Sequence, residues 1–259
     1  MARQILGADT VMHAAPPLEG DVHLPLYRRL YETFARRIAA GDWKPGDGLP
    51  AETGLAKIYR IAPGTVRRAL DDLALNGLVE RRHGLGTFVR RPNFDNAMLR
   101  FFRFRDKDGN AFLPESRIVS RKLVSTPPKV ARQLGLTDPL VIKMVRHRLW
   151  DGVPRLVEDI FLPQDRFKPL LSVSEEMIGP LLYPAYEQLC GQVVFAIEED
   201  ISIADVTVDD AADLGLQTGD LTVSVERIAR NATATPIEWR ISRGEARRFR
   251  YQLTSGQGD

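Results

Sequence analysis

The stretch from Leu49 to Val89, LPAETGLAKIYRIAPGTVRRALDDLALNGLVERRHGLGTFV, constrains the fold more than any other part of the 259-residue chain. It reads as two short helices followed by two short strands around a glycine-rich turn. Upstream, Leu26, Leu30, Phe34 and Ile38 recur every four residues, which marks one helix face, and Gly41 stops that helix. Lys44-Pro45-Gly46-Asp47-Gly48 is loop chemistry. The next helix spans about Ala51 to Tyr59, with Leu55 and Ile58 expected inward. Pro63 opens a third, where its fixed φ and missing N–H do no harm. Val66, Leu70 and Leu73 form the buried stripe of this helix, and Asn76-Gly77 ends it. The strands are expected at Leu78–Arg81 and Thr87–Arg90, and Arg81, Arg82, His83, Gly84 and Gly86 crowd the turn between them. This order predicts a winged helix-turn-helix: one helix for the major groove and a basic hairpin for the flanking backbone or minor groove.

The charge supports that expectation. Residues 24–91 carry 13 Lys and Arg against 7 Asp and Glu, whereas the chain as a whole has a net charge of only +2. A duplex calls for such a concentrated basic face, because neutralising phosphates supplies most of the non-specific affinity. Cys190 is the one cysteine, so no intrachain disulfide forms and a reducing compartment fits. No apolar run approaches the ~20 residues of a membrane span, and the first residues lack a secretory pattern. A cytoplasmic protein with no membrane partner is expected. The histidines His13, His23, His83 and His147 are scattered, and no Cys/His cluster, GxSxG or phosphate-cradling glycine loop occurs. No metal, no cofactor and no catalytic residue is expected.

Beyond a polar connection, the pattern changes to strands and short helices, an α+β alternation. Strands are expected at Arg117–Lys122, Leu140–Trp150, Arg155–Leu162, Val193–Ile203, Leu221–Arg230 and Ile237–Ser242. Helices are expected at Pro128–Leu134, Tyr183–Leu189 and Asp209–Leu214. Asp151-Gly152 between apolar runs is a strong hairpin signal. An internal repeat is visible: AxxLGL occurs at Ala131–Leu136 and again at Ala211–Leu216. Each copy precedes a long apolar strand with an arginine (Arg146; Arg227), then a turn, a proline and a glutamate (Pro154 and Glu158; Pro236 and Glu238). A diverged duplication would give a pseudo-symmetric sheet with a cleft between its halves; two unrelated helix–hairpins with similar caps are the alternative.

Within Leu140–Trp150 both faces are mostly apolar, yet Arg146 and Arg148 point the same way. Arginines are almost never buried without partners. The partner is the carboxylate of Glu158 or Glu238, or a bound anion gripped by the guanidinium forks; a salt bridge at a sheet edge is the plainer reading.

These residues resemble the GntR family of bacterial transcription regulators. LPAE…TVRRALDDLALNGLVERRHGLGTFV is similar to its DNA-binding domain over about residues 24–91. RHRLWDGVPRLVEDIFLP, LLYPAYEQLCG and TPIEWRIS resemble, in order, the effector-binding domain of its HutC-type branch, called UTRA, over most of residues 100–253. The resemblance implies a chorismate-lyase-like α+β fold, a homodimer, a double-stranded DNA operator, and a small molecule that alters operator affinity. The implied DNA contacts are Thr65, Arg67, Arg68, Arg82, His83, Gly84, Gly86 and Thr87. The implied effector contacts are Arg146, Arg148, Glu158, Tyr183 and Glu238. Many relatives have Arg where this chain has Thr53 and Pro63, so a different operator is expected. Leu181-Leu182-Tyr183 replaces the usual Ser-Leu-Tyr, which shifts the expected effector from a phosphate toward a carboxylate. Ala51 and Ala62 lack the side-chain oxygen of a good N-cap.

The expected organisation is a tail (1–23), a winged helix-turn-helix domain (24–91), a linker (92–100), an effector domain (101–253) and a second tail (254–259). A ligand-responsive transcription factor, most often a repressor, leads. An enzyme on a lyase-like fold comes second, since an Arg/Glu pocket could do acid–base work, and fold alone is weak warrant for function. A purely architectural DNA-binding protein comes third.

Overall fold

The computed structural model describes residue 18, residues 23–90 and residues 115–249. The chain divides into two compact units, Met1–Arg91 and Pro92–Asp259. The expected linker at 92–100, nearly all of the first tail and the whole of the second lie outside the described residues.

The first unit runs α1 (Leu26–Ala39), α2 (Glu52–Tyr59), α3 (Pro63–Leu75), β1 (Val79–Arg82) and β2 (Gly86–Val89). Leu30, Phe34 and Ile38 of α1 meet Val66, Leu70 and Leu73 of α3, all at most 2% exposed. The Phe34 ring packs edge-on against Trp43 and Tyr59, with centroids 5.4 and 5.5 Å away. Leu26 lies outside this core. So does Ile58, contrary to expectation: it is 40% exposed, and Leu55, Ala56 and Tyr59 are buried instead. At 100° per residue those three span one arc of a two-turn helix, and Ile58 falls beyond its edge. Neither Ala51 nor Ala62 makes a side-chain cap hydrogen bond. The wing pairs β1 with β2 antiparallel, Val79 opposite Val89 and Arg82 opposite Gly86. Gly84 and Gly86 have φ of +71° and +114°, which a side chain at the tip would strain.

The second unit is a six-stranded antiparallel sheet in the order β3-β4-β5-β8-β7-β6. Its strands are β3 (Glu115–Ser125), β4 (Leu140–Trp150), β5 (Val153–Pro163), β6 (Ala196–Asp205), β7 (Leu221–Arg230) and β8 (Pro236–Glu245). The order is symmetric about its centre: β3-β4-β5 runs inward from one edge and β6-β7-β8 inward from the other. A helix, α4 (Pro128–Leu134), lies between β3 and β4, and another, α8 (Val208–Leu214), between β6 and β7. The last strands of the two halves, β5 and β8, pair at the centre. Asp151 and Gly152, at φ of +49° and +72°, turn the β4–β5 hairpin as a type I′ pair.

One sheet face carries Ile142, Met144, Ile160 and Leu162 against Phe167, Leu170, Ile178, Leu182 and Tyr186. The covering elements are α5 (Gln164–Phe167), the 3-10 turn Lys168–Leu171, α6 (Glu175–Ile178) and α7 (Leu182–Cys190). The shortest of these have too few residues to show a helical period in sequence. The opposite face carries Val141, Phe161 and Trp239 against Val130 and Leu134 of α4. Strand β6 begins at Ala196 rather than Val193, because Val194 turns into the core ahead of the ladder. Among the described residues no helix is long and apolar enough to cross a membrane.

Candidate DNA-binding surface and candidate effector site

In the first unit the basic residues of α3 and the wing are exposed. Arg67 Nε donates to Glu52 Oε2 at 3.0 Å, and its side chain is 65% exposed. Arg81 Nη1 lies 3.2 Å from Glu52 Oε1, and its Nη2 lies 2.6 Å from Asp71 Oδ1. Arg82 folds back onto Glu80 of its own strand at 2.6 Å and over the Phe88 ring at 4.5 Å. Glu52, Arg81, Arg82, His83, Gly84, Gly86 and Thr87 line one cleft. Thr65 is half-buried in the first turn of α3. Arg68 does not join this group: it stacks on Tyr27 of α1, 3.9 Å from the ring centroid. Consecutive helical residues point 100° apart, so Arg67 and Arg68 cannot share one target. Arg81, present in the wing but not among the expected contacts, is the residue that joins the wing to α2 and α3.

The second unit buries its charges. Arg146 Nε donates to Glu158 Oε2 at 2.6 Å, as direct cross-strand partners in the β4–β5 ladder. Arg146 and Arg148 both reach the Pro180 carbonyl, at 3.4 and 2.8 Å. On the other half, Glu238 accepts from Arg240 Nη2 at 2.7 Å, from Tyr186 at 2.5 Å and from Tyr183 at 3.3 Å. Arg240 Nη1 also reaches Glu158 Oε1 at 3.4 Å, which ties the two halves together, and Ser242 donates to the same oxygen at 3.2 Å. Arg227 donates to Glu199 at 2.6 Å and to Tyr183 at 3.3 Å.

Thus Arg146, Arg148, Glu158, Tyr183 and Glu238 do converge, on one sheet face beneath the start of α7. The repeat is less regular than expected. The ladder sets Arg240, not Glu238, opposite Arg227, as it sets Glu158 opposite Arg146. Glu238 faces Ala229 instead: both hairpins carry a register shift near the turn, but the loop between β7 and β8 is longer than the Asp151-Gly152 turn. Arg240 was legible as a second even-spaced charge after Glu238 on one strand. Tyr186, Glu199 and Ser242 carried no such signal.

Arg146, Arg148, Arg227 and Arg240 outnumber Glu158, Glu199 and Glu238 by one among the described residues of this cluster. Burial, with Arg146 and Arg240 close by, weakens the protonated form of Arg148, to about 9, although Glu158 opposes the shift. Burial alone would raise the Glu158 carboxyl, but Arg146, Arg240 and Arg148 outweigh it and hold it well below the usual range. Burial and Glu238 push the Tyr186 hydroxyl well up, so it stays a neutral donor.

Residues 26–89 match the family described as bacterial regulatory proteins, gntR family, and residues 111–250 match the UTRA domain. The chain is 27% identical over 230 residues to the HTH-type transcriptional repressor NagR of Bacillus subtilis (strain 168), covering 87% of this chain and 93% of that protein. It is 30% identical over 184 residues to MngR of Escherichia coli (strain K12), the mannosyl-D-glycerate transport/metabolism system repressor, covering 69% of this chain and 74% of the relative. The crystal structure of PhnF from Mycobacterium smegmatis shares the fold with a TM-score of 0.52 and 23% identity, covering 88% of this chain and 100% of that one. A GntR winged helix-turn-helix unit followed by a chorismate-lyase-like UTRA unit places this chain in the GntR family of transcription regulators, in its HutC-type branch with an effector-binding domain.

Proposed function

We propose that this protein is a homodimeric repressor whose operator affinity is set by a small anionic metabolite bound in its UTRA unit. The observation that carries the reading is the buried charge cluster of the second unit. Several guanidinium groups gathered on one face of an apolar, buried site suit an anion, because they offer paired N–H donors to its oxygens. Arg146 and Arg148 would grip a carboxylate or phosphate. Glu158 and Glu238 would accept hydrogen bonds from hydroxyl or amino groups elsewhere on the same molecule, with Tyr183 beside them. A carboxylate fits slightly better than a phosphate, because Leu181 offers no hydroxyl.

DNA would be read by Thr65 and Arg67 at the start of α3, with Arg82, His83, Gly84, Gly86 and Thr87 of the wing against the backbone or minor groove and Arg68 at the flank. One short recognition helix specifies few base pairs, so two copies on a pseudo-palindrome are needed. Effector binding would act through the 92–100 segment on how the two DNA-binding units span both half-sites.

The test begins with a thermal-shift screen of carboxylated and phosphorylated metabolites, followed by calorimetry on Arg146→Ala and Glu238→Ala with whichever compound stabilises the protein. Loss of affinity in both supports the site. Unchanged affinity in both reduces the cluster to a structural ion network. Equal operator affinity of Arg67→Ala and the parent at matched salt would remove α3 from the readout.

A further inference from the structure

Glu52 stands where a DNA-binding surface should least tolerate it: a carboxylate at the start of α2, between the recognition helix and the wing. Its side chain is 23% exposed and binds Arg67 through Oε2 and Arg81 through Oε1. The two arginines are used differently. Arg81 presents its terminal nitrogens to two carboxylates, Glu52 and Asp71, and so fastens β1 to α2 and α3. Arg67 meets Glu52 through Nε alone, at 3.0 Å. An arginine has one N–H on Nε and four on its terminal nitrogens. The contact with Glu52 therefore restrains the plane of the Arg67 guanidinium without using its terminal fork, the part that fits guanine O6 and N7, and the side chain is largely exposed. Stability does not explain the pair, because exposed ion pairs contribute little. A negative charge near phosphates also weakens sequence-independent attraction.

We propose that Glu52 is a specificity-determining positioning residue: it holds Arg67 at Nε so that the guanidinium fork is aimed at one guanine, and it lowers affinity for DNA of any other sequence. The proposal rests on the reading of the first unit as a duplex binder through α3. A loosely held arginine reaches many phosphates, whereas a buttressed one has lost that freedom before it meets the base.

The test uses the full chain and a pool of duplexes with a randomised central segment, selected in parallel by the parent, Arg67→Ala, Glu52→Gln, Glu52→Ala and the double variant Glu52→Ala/Arg67→Ala. The parent should enrich a motif with a guanine at which Arg67→Ala loses its preference. Both Glu52 variants should lose about tenfold of the discrimination at that same position. Their affinity for non-specific duplex should rise, and the salt dependence of that binding should steepen by about one counterion. The double variant should discriminate no worse than Arg67→Ala. Unchanged preference at the Arg67 position in both Glu52 variants overturns the proposal. So does a uniform loss of affinity across all sequences with a lowered melting temperature, the signature of a staple. If the parent binds duplex but Arg67→Ala keeps every base preference, Arg67 reads no base and the proposal falls alone. If the parent binds no duplex at all, the underlying DNA-binding reading falls with it.

Discussion

The two units put the same residue type to opposite uses. In the DNA-binding unit Arg67 is 65% exposed and meets a carboxylate that is itself 23% exposed. In the effector unit Arg146 is 3% exposed and meets a carboxylate that is fully buried. An exposed pair is screened by water and salt and contributes roughly 0–1 kcal/mol, while breaking a buried pair by removing one partner costs about 3–5 kcal/mol. The first unit therefore keeps its arginines on the surface, where their free N–H groups can meet DNA at little cost in stability. The second unit cannot separate its charges without a large cost in stability, because each is buried against its partner.

The contrast is broken most severely by Glu158→Ala. That change takes the buried carboxylate from Arg146 and leaves Arg240 only Glu238, and should destabilise the effector unit by about 3–5 kcal/mol. Urea denaturation followed by a probe in each unit should show the effector transition displaced and the DNA-binding transition unmoved. A loss below about 1 kcal/mol would mean that water already reaches the cluster.

Acid should sharpen the same contrast. The Glu158 carboxyl is held below its ordinary value in the folded chain, because Arg146, Arg240 and Arg148 overcome the opposing effect of burial. Its contribution is then present above the unfolded pKa of about 4.3 and is lost as pH falls toward the lower folded value. The effector unit should weaken progressively below about pH 4.3, and Glu158→Gln should flatten that part of its stability curve. An effector unit whose stability is independent of pH in this window would contradict the assignment.

Tyr186→Phe removes a donor from Glu238 but leaves Arg240 in place, so a smaller loss of about 1.5–3 kcal/mol is expected, read from the same denaturation curves. The smallest effect belongs to the exposed side of the comparison. Arg81→Ala breaks two pairs at a side chain 41% exposed and should cost less than about 1 kcal/mol. Hydrogen exchange should nonetheless quicken in β1 and β2, because the wing loses its tie to α2 and α3. Unaltered wing exchange would show that backbone pairing alone sets the hairpin.

Much of this was written along the chain. Periodicity in α1 and α3, Pro63, Asn76-Gly77 and the wing glycines are local signals, each resolved within a turn or two of backbone. The AxxLGL repeat was legible for the same reason, and the sheet order reflects it: β3-β4-β5 is repeated as β6-β7-β8 about the central β5–β8 pair. Ile58 faces outward although the local pattern points it inward, because a two-turn helix offers too few residues to fix the angle of its buried arc.

What the sequence by itself determined is therefore the kind of each unit and the strand that would bury arginines. Which charges pair was decided only by the tertiary structure. Arg146 with Glu158 could be guessed from one hairpin, but the link from Arg240 to Glu158 spans 82 positions and exists because β5 and β8 meet at the centre of the sheet. Tyr186 reaches Glu238 from a helix 52 residues away. In the second hairpin, whose loop is longer, Arg240 takes the place the repeat had suggested for Glu238. Spacing along one strand sets the face a side chain points to, whereas its partner depends on registers between strands, and those are fixed by the packing of the whole sheet.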